Sequence, residues 1–346
     1  MIKMSTLVSG FTTGEFDTEL RETLNTENLV EFITARLPGA GQPLADAAAH
    51  HFEKSGKMLR AKMALRASHL MNVDSAAALH WAVAIEILHN ASLIHDDICD
   101  GDQLRRGHPA IWSKYGRDIA LALGDWLVAL SFELAAEAAQ RTNTLMLVKI
   151  LAKHMKTTTM GEAREFNIQG TCSWQSYLEI SADKTAPLFI APLEGVAAMA
   201  LHGVGAKAIS SYFRCLGNAY QIANDMLNFQ GDGGAAPSSS DLIRRAPNAV
   251  IVLFRESLDS DSKVQFDDWY VSGGKDDYMQ WQKKILASPA MKVSALRMQE
   301  LINDSELLVE RLPSELVEVI IPIQNMLQYE CQKSIEVLLS QQIDRL

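Results

Sequence analysis

Leu93-Ile94-His95-Asp96-Asp97-Ile98-Cys99-Asp100-Gly101-Asp102-Gln103-Leu104-Arg105-Arg106-Gly107 gathers four acidic residues and two arginines within fifteen positions of a 346-residue chain. The stretch leading into it reads as helix. If that helix continues to Asp100, then Asp96 and Asp100 share a face, with Asp97 about 100° away around the axis. Carboxylates converging beside an apolar wall repel one another unless a cation lies between them, and a hard divalent ion with oxygen ligands is the usual partner. Mg²⁺ is the first candidate. A solvated acidic helix end is the plain alternative for an isolated DDxxD. Against it stand the flanks: Ser92, Leu93 and Ile94 bury the approach, and Arg105 and Arg106 follow at once. Such an arginine pair suits a diphosphate that the metal also holds.

Further elements stand in order along the chain: Gly56-Lys57-Met58-Leu59-Arg60, His89 seven residues before Asp96, Gly124-Asp125, Lys184-Thr185-Ala186, and Gln221-Ile222-Ala223-Asn224-Asp225-Met226-Leu227-Asn228. Together with the first stretch they resemble the landmarks of the trans-isoprenyl diphosphate synthases: GKxxR, a histidine ahead of DDxxD, RRG after it, a Gly-Asp helix, KTA and QxxDDxxD. The resemblance covers about residues 30 to 335 and leaves 1–29 as an N-terminal extension. Six landmarks in order are far more specific than any one of them. The resemblance implies an all-α isoprenoid synthase fold, a single domain spanning 1–346 with ten or more helices around a deep central cavity, and a homodimer.

The activity implied is ionisation of an allylic diphosphate, attack on the cation by the double bond of isopentenyl diphosphate, and proton loss to the departing diphosphate. It requires two diphosphate sites facing an apolar tunnel, with metal ions on the leaving group, three Mg²⁺ in the closed complex. For the allylic site the matching residues are Asp96 and Asp100 as ligands with Asp97 close behind, and Arg105, Lys184, Thr185 and Gln221 around the diphosphate. For the isopentenyl site they are Lys57, Arg60, His89 and Arg106. Taken singly, Lys57 and Arg60 would be ordinary surface charges and His89 a core histidine. Their joint presence is what points to a site.

Composition agrees. With 32 basic and 42 acidic residues the net charge is −10, which argues against a basic nucleic-acid-binding surface. Cys99, Cys172, Cys215 and Cys331 show neither zinc nor disulfide spacing, consistent with a cytoplasmic setting. No signal pattern opens the chain, and apolar stretches such as 81–94 are interrupted by Glu86 and His89, so no transmembrane segment is expected. No linker rich in Pro, Gly or Ser divides the chain. Apolar residues at three- and four-residue spacing predict helices over 76–98, 117–140, 144–168, 174–201, 205–230 and 294–310, and strand alternation is absent. Ser173 and Asp304 are candidate caps. The acidic stretch Asp259 to Asp277 reads as a solvated connection. Gly231 to Ser240, directly after the last motif, reads as a lid over the metal site or as an unstructured loop.

The second aspartate motif departs from the family pattern. Aspartate belongs at 224, 225 and 228, but the chain has Asn224, Asp225 and Asn228. All three remain candidate metal ligands, because an amide oxygen can bind Mg²⁺ where two charges have been lost. A later lysine is missing, with Arg244 or Arg245 as substitutes. Asn224, Asn228 and Asp232 also fall four apart, similar to the NDxx(S/T)xxxE motif of class I terpene cyclases. Three functions therefore stand: a chain-elongating synthase, a cyclase or unusual-acceptor transferase on the same fold, and a noncatalytic subunit of a heteromeric synthase. Retention of Lys57, Arg60, His89 and Arg106 favours elongation over a cyclase. Retention of Asp96, Asp97 and Asp100 argues against an inactive subunit. A product of twenty carbons or longer is expected, because Ala91 and Ser92, about one turn before Asp96, leave the tunnel open. Trp126 or Phe132 could form a floor deeper down.

Overall fold

The computed structural model describes residues 26–343 apart from 55, 201–205, 231–238, 273, 275–276 and 313. The lid reading at Gly231 to Ser240 therefore lies outside the described residues except for its last two positions. So do Asp232 and nearly all of the 1–29 extension. Contacts divide the chain into two compact units, one of residues 1–155, 188–206 and 313–322, the other of 156–187, 207–312 and 323–346.

In the first unit, α1 (Thr26–Arg36), α2 (Ala45–Glu53) and α3 (Leu59–Leu70) lead into α4 (Ser75–Asp100). Asp74 starts α4 by accepting the Ala77 N–H at 2.8 Å. Every residue of α4 from 81 to 88 is buried. A helix buried on all sides belongs in the middle of a core. On α3, Ala61, Ala64 and Ala67 are fully buried, and their small side chains let its backbone approach α4 closely. The helix stops at Gly101, whose φ of +71° lets its N–H turn back to the Asp97 carbonyl.

Next comes the one ladder found among the described residues, a hairpin of β1 (Leu104–Arg105) and β2 (His108–Pro109) with Arg105 opposite His108. Its turn, Arg106-Gly107, has φ of +54° and +77°, the left-handed pair that a two-residue type I′ connection requires. α5 (Ile111–Tyr115) and α6 (Arg117–Thr142) follow, and α6 packs along α4. α7 (Met146–Phe166) starts in the first unit and ends in the second.

The second unit continues with α8 (Trp174–Thr185), capped as expected by Ser173, which accepts the Ser176 N–H at 3.2 Å. The single helix expected over 174–201 is in fact two. Pro187, which has no N–H to give, opens α9 (Pro187–Met199) as a first-turn residue, and from 188 onward α9 belongs to the first unit. α9 carries Gly195, where a Cβ would stand 2.1 Å from the Trp81 ring, so only glycine admits that indole. Trp81 Nε1 donates to the Pro192 carbonyl at 3.1 Å.

α10 (Ala206–Gln230), α11 (Ser240–Arg244) and α12 (Ala249–Glu256) lead to α13 (Ser260–Ser272), α14 (Tyr278–Ala287), α15 (Ala290–Val309) and α16 (Ser314–Ile343). Two expectations fail here. Asp304 lies inside α15 and caps nothing. Most of the supposed solvated connection is α13, which buries Phe266, Trp269 and Tyr270 and sets Phe266 5.0 Å from Trp281 and 5.5 Å from Phe254. Those aromatics recur at three- and four-residue spacing, a core-facing stripe that the acidic residues between them obscured.

By length and composition alone α4 and α6 could each cross a bilayer, a test that buried core helices also pass. The apolar window of α4 is 78% buried inside the protein and that of α6 44%.

Candidate active site

Asp96 and Asp100 lie one turn apart in the last turns of α4, both partly exposed, and no basic residue occupies the final turn. The C-terminal end of a helix already carries partial negative charge, so this end invites a cation. Asp97 points elsewhere. It is 1% exposed, and Arg105 of the hairpin binds it through Nε at 2.8 Å and also through Nη2. Burial pushes the Asp97 carboxyl above its usual range while Arg105 pulls it back and stays charged, leaving an ion pair. Asp97 thereby aims Arg105, with its Oδ1 taking both contacts. Among the described residues no group of three His, Cys, Asp or Glu side chains forms a ready metal cage. Two carboxylates still fit Mg²⁺, which commonly takes one or two from protein and the rest of its shell from phosphate and water.

Arg106, next in the chain, is held by different groups. Its Nη1 donates to the Lys54 carbonyl at 2.8 Å, and a Cβ on Gly56 would stand 2.7 Å from its Nη2. The glycine of the Gly56-Lys57 element thus lets this guanidinium lie against the backbone. Arg60, on α3, stacks over the Phe189 ring at 4.5 Å. His89 is partly buried; desolvation first, then Arg60 and Arg106, hold its pKa well below the ordinary value, so it stays neutral and can donate or accept. Beneath these cations lies Glu86, 3% exposed, accepting the Ala61 N–H at 3.4 Å. Asn90 links it onward, donating to the Glu86 carbonyl at 2.8 Å and accepting from His51 Nε2 at 3.0 Å. Burial lowers His51 to about 4, which makes it the neutral donor in that bond. A cleft of about 330 Å³ here is lined by His51, Lys54, Arg105, Arg106 and His108 with Asp97.

In the second unit Lys184 ends α8 with its Nζ 2.6 Å from Glu165 and 2.9 Å from Glu162, both on α7. Burial works against its charge, but the two glutamates outweigh that and raise its pKa. Thr185, next to it, is partly buried and meets α10 near Gly217. On α10, Asp225 is 2% exposed and filled by protein donors: Tyr177 Oη and the Ala249 N–H at 2.7 Å, and Gln221 Nε2 at 2.8 Å. Burial, with Asp241 nearby, pushes its carboxyl up to about 7. Asn228 donates to Ser240 Oγ at 2.8 Å and accepts the Asp241 N–H at 3.4 Å, stitching α10 to α11. Asn224 alone of the three is exposed. Arg244 binds Asp241 at 2.9 Å, and Arg245 donates to the Val271 carbonyl at 3.2 Å.

The polyprenyl synthetase family model matches residues 42–285, more than half of the chain and nearly every element of this geometry. The chain belongs to that family. A geranylgeranyl diphosphate synthase of Saccharolobus solfataricus is 32% identical over 232 residues, 64% of this chain and 69% of that protein. Among solved structures, a polyprenyl synthase of Caulobacter crescentus complexed with calcium and isoprenyl diphosphate is 26% identical, with a TM-score of 0.76 over 92% of this chain and 98% of the other. A decaprenyl diphosphate synthase of Rhodobacter capsulatus shares the fold, with a TM-score of 0.79 at 21% identity over 93% and 99% of the two chains. The protein is thus an isoprenyl diphosphate synthase, a prenyltransferase with the all-α isoprenoid synthase fold.

In this synthase, Gly124 of the Gly-Asp element has a steric role. A Cβ there would stand 2.1 Å from His95 Nε2, and the imidazole sits 3.7 Å from Asp125. Ala91 is fully buried, and Ser92 donates to its own helix at the His89 carbonyl, 2.8 Å. Trp126 and Phe132 are only partly buried on α6. Several site residues escaped the sequence reading: Glu86 and Asn90 under the cations, Glu162 and Glu165 on Lys184, and Tyr177 on Asp225. Spacing held a signal for two of them. Tyr177 is seven residues before Lys184 and Glu86 three before His89, each on the same helical face.

Proposed function

We propose that this synthase condenses isopentenyl diphosphate with an allylic diphosphate, dependent on Mg²⁺, to give a trans-polyprenyl diphosphate of twenty carbons or longer. The observation that carries this reading is the gathering of Arg60, Arg106 and neutral His89 over buried Glu86, a cationic set that a cyclase, with no second diphosphate to bind, does not need. Arg60 and Arg106 would hold the isopentenyl diphosphate as charge-assisted donors, with Lys57 beside them and His89 as a neutral hydrogen-bonding group. Asp96 and Asp100 would ligate the metal, and Arg105, fixed by Asp97, would meet the leaving diphosphate. Lys184, Thr185 and Gln221 match the family's allylic-diphosphate positions by resemblance. The metal's contribution when bound is to neutralise charge on the leaving diphosphate.

Calcium in the Caulobacter crescentus relative supports a divalent cation. The family expectation of three ions draws more support at Asp96 and Asp100 than at Asp225, whose oxygens already take three protein donors. The relatives that make geranylgeranyl diphosphate support a twenty-carbon product. A homodimer, the family expectation, is part of the same proposal. So is a reducing, cytoplasmic setting, suggested by the scattered spacing of the four cysteines in the sequence.

Incubation with Mg²⁺, labelled isopentenyl diphosphate and a series of allylic diphosphates of increasing length, followed by product analysis with and without phosphatase, tests the proposal. Elongated diphosphates of at least twenty carbons are expected. A hydrocarbon released without isopentenyl diphosphate would instead establish the cyclase reading that Asn224 and Asn228 favour.

A further inference from the structure

Tyr177, Ser181 and Lys184 follow one another on α8 at intervals of four and three residues, which places them on one helical face. All three line a cleft of about 270 Å³ in the second unit, with Glu165 of α7 and Gln221 of α10. Ser181 is 4% exposed, and its hydroxyl has no hydrogen-bond partner among the described residues. The other polar groups of that cleft are engaged: Tyr177 and Gln221 on Asp225, Lys184 and Glu165 on each other.

A helical serine has an easy local remedy, a bond back to the carbonyl four residues earlier. Ser294 takes it, donating to the Ala290 carbonyl at 2.9 Å. Ser181 does not. A buried hydroxyl left unmade costs stability, so its persistence calls for a partner that arrives with a ligand. Ser68, Ser131 and Thr158 also lack partners, but none of them lines either cleft described above.

We propose that Ser181 is a further substrate-contacting residue of the synthase, its hydroxyl donating to an oxygen of the allylic diphosphate bound by Lys184. The inference rests on the assignment of Lys184 and Gln221 to that diphosphate. The cleft chooses the ligand chemistry. A prenyl tail has no acceptor to offer Ser181, whereas a diphosphate has several. Lys184 meets the ligand with its charge already shared between Glu162 and Glu165. A neutral donor one turn before it on the same face adds a hydrogen bond without further charge.

The test compares the full-length parent with Ser181→Ala, Ser181→Val and Ser181→Thr in the presence of Mg²⁺. The readouts are calorimetric affinity for inorganic diphosphate, KM for each substrate, and the melting temperature of the unliganded protein. Ser181→Ala and Ser181→Val should weaken inorganic diphosphate and raise the allylic KM by about tenfold, the loss of one charge-assisted hydrogen bond. The isopentenyl KM should change little, and Ser181→Thr should restore most of the affinity. The Ser181→Ala protein should melt no lower than the parent, because no protein hydrogen bond is removed. Unchanged diphosphate affinity in Ser181→Ala overturns this inference alone. So does a lowered melting temperature with both KM values raised equally, the mark of a structural serine. A parent that itself fails to bind inorganic diphosphate overturns the Lys184 assignment, and this inference with it.

Discussion

The two aspartate motifs put the same residue types to opposite use. At the end of α4, Asp96 and Asp100 keep solvent-facing surface on a helix end that lacks a basic residue, while only Asp97 is sunk, to hold Arg105. On α10 the one remaining aspartate, Asp225, is the sunken residue, and its neighbours at 224 and 228 are uncharged. The first motif stores negative charge where an incoming cation can meet it. The second has turned its polar groups to internal work, Asp225 joining Tyr177, Gln221 and Ala249 while Asn228 ties α10 to α11. A motif's letters therefore do not settle its role; burial and committed hydrogen bonds do.

The contrast breaks most visibly at Asp96 and Asp100. Replacing either by Ala should lower turnover by roughly a thousandfold or more, since metal neutralisation of a leaving group is worth several kcal/mol. The unliganded variants should keep the parent's fold by circular dichroism, so that the loss reads as chemistry. Turnover within about tenfold of the parent would show that these carboxylates are not ligands.

Asp225→Ala should do the reverse, harming the fold first. It strands three buried donors at roughly 1–3 kcal/mol each, so a loss of several kcal/mol is expected in denaturant unfolding, with Asp225→Asn milder. The pH dependence has a definite sign. Asp225 is held at about 7 when folded, above the ordinary carboxylate value of about 4, so the folded state binds its proton more tightly. Its contribution is complete below about pH 4 and is lost as pH rises toward 7. His89 and His51, both depressed, act oppositely and cost stability as pH falls below about 6.5. Subtracting the Asp225→Asn stability curve from that of the parent isolates the aspartate. A difference that is flat between pH 4 and 7 would mean that Asp225 is ionised throughout, as a metal ligand should be.

Smaller effects belong to the acceptor set. Arg60→Ala or His89→Ala should weaken isopentenyl diphosphate by about ten- to a hundredfold and leave the allylic substrate nearly untouched, the loss of about 1.5–3 kcal/mol from one charge-assisted contact. Titration with each substrate separates the two. The smallest effect is expected from Asn224→Asp, which restores one charge at the exposed position of the second motif. It should tighten Mg²⁺ by a few-fold at most, measured calorimetrically with inorganic diphosphate present. A loss of activity in that variant would show that the amide serves a different chemistry.

Much of this was legible beforehand. The long helices at 76–98, 117–140 and 205–230 emerge within a few residues of their expected ends, because apolar periodicity over six or seven turns reports a buried stripe directly. Shorter elements were not. The acidic residues of 259–268 masked α13, whose aromatic stripe faces the core around Phe254 and Trp281, and one proline divided a helix whose periodicity runs on without a break.

For the site, sequence alone determined which side chains are available and how they are spaced, down to Asp97 lying about a quarter-turn from Asp96. That is a property of helical geometry and needs no neighbours. Which of those faces is buried was decided only by tertiary structure: Arg105 reaching Asp97 from the first strand of the hairpin, Glu86 beneath Arg106 and Arg60, and two glutamates of α7 on Lys184. Burial and partnership come from residues distant in the chain, and they commit Asp225 to protein donors where the sequence showed only a motif letter.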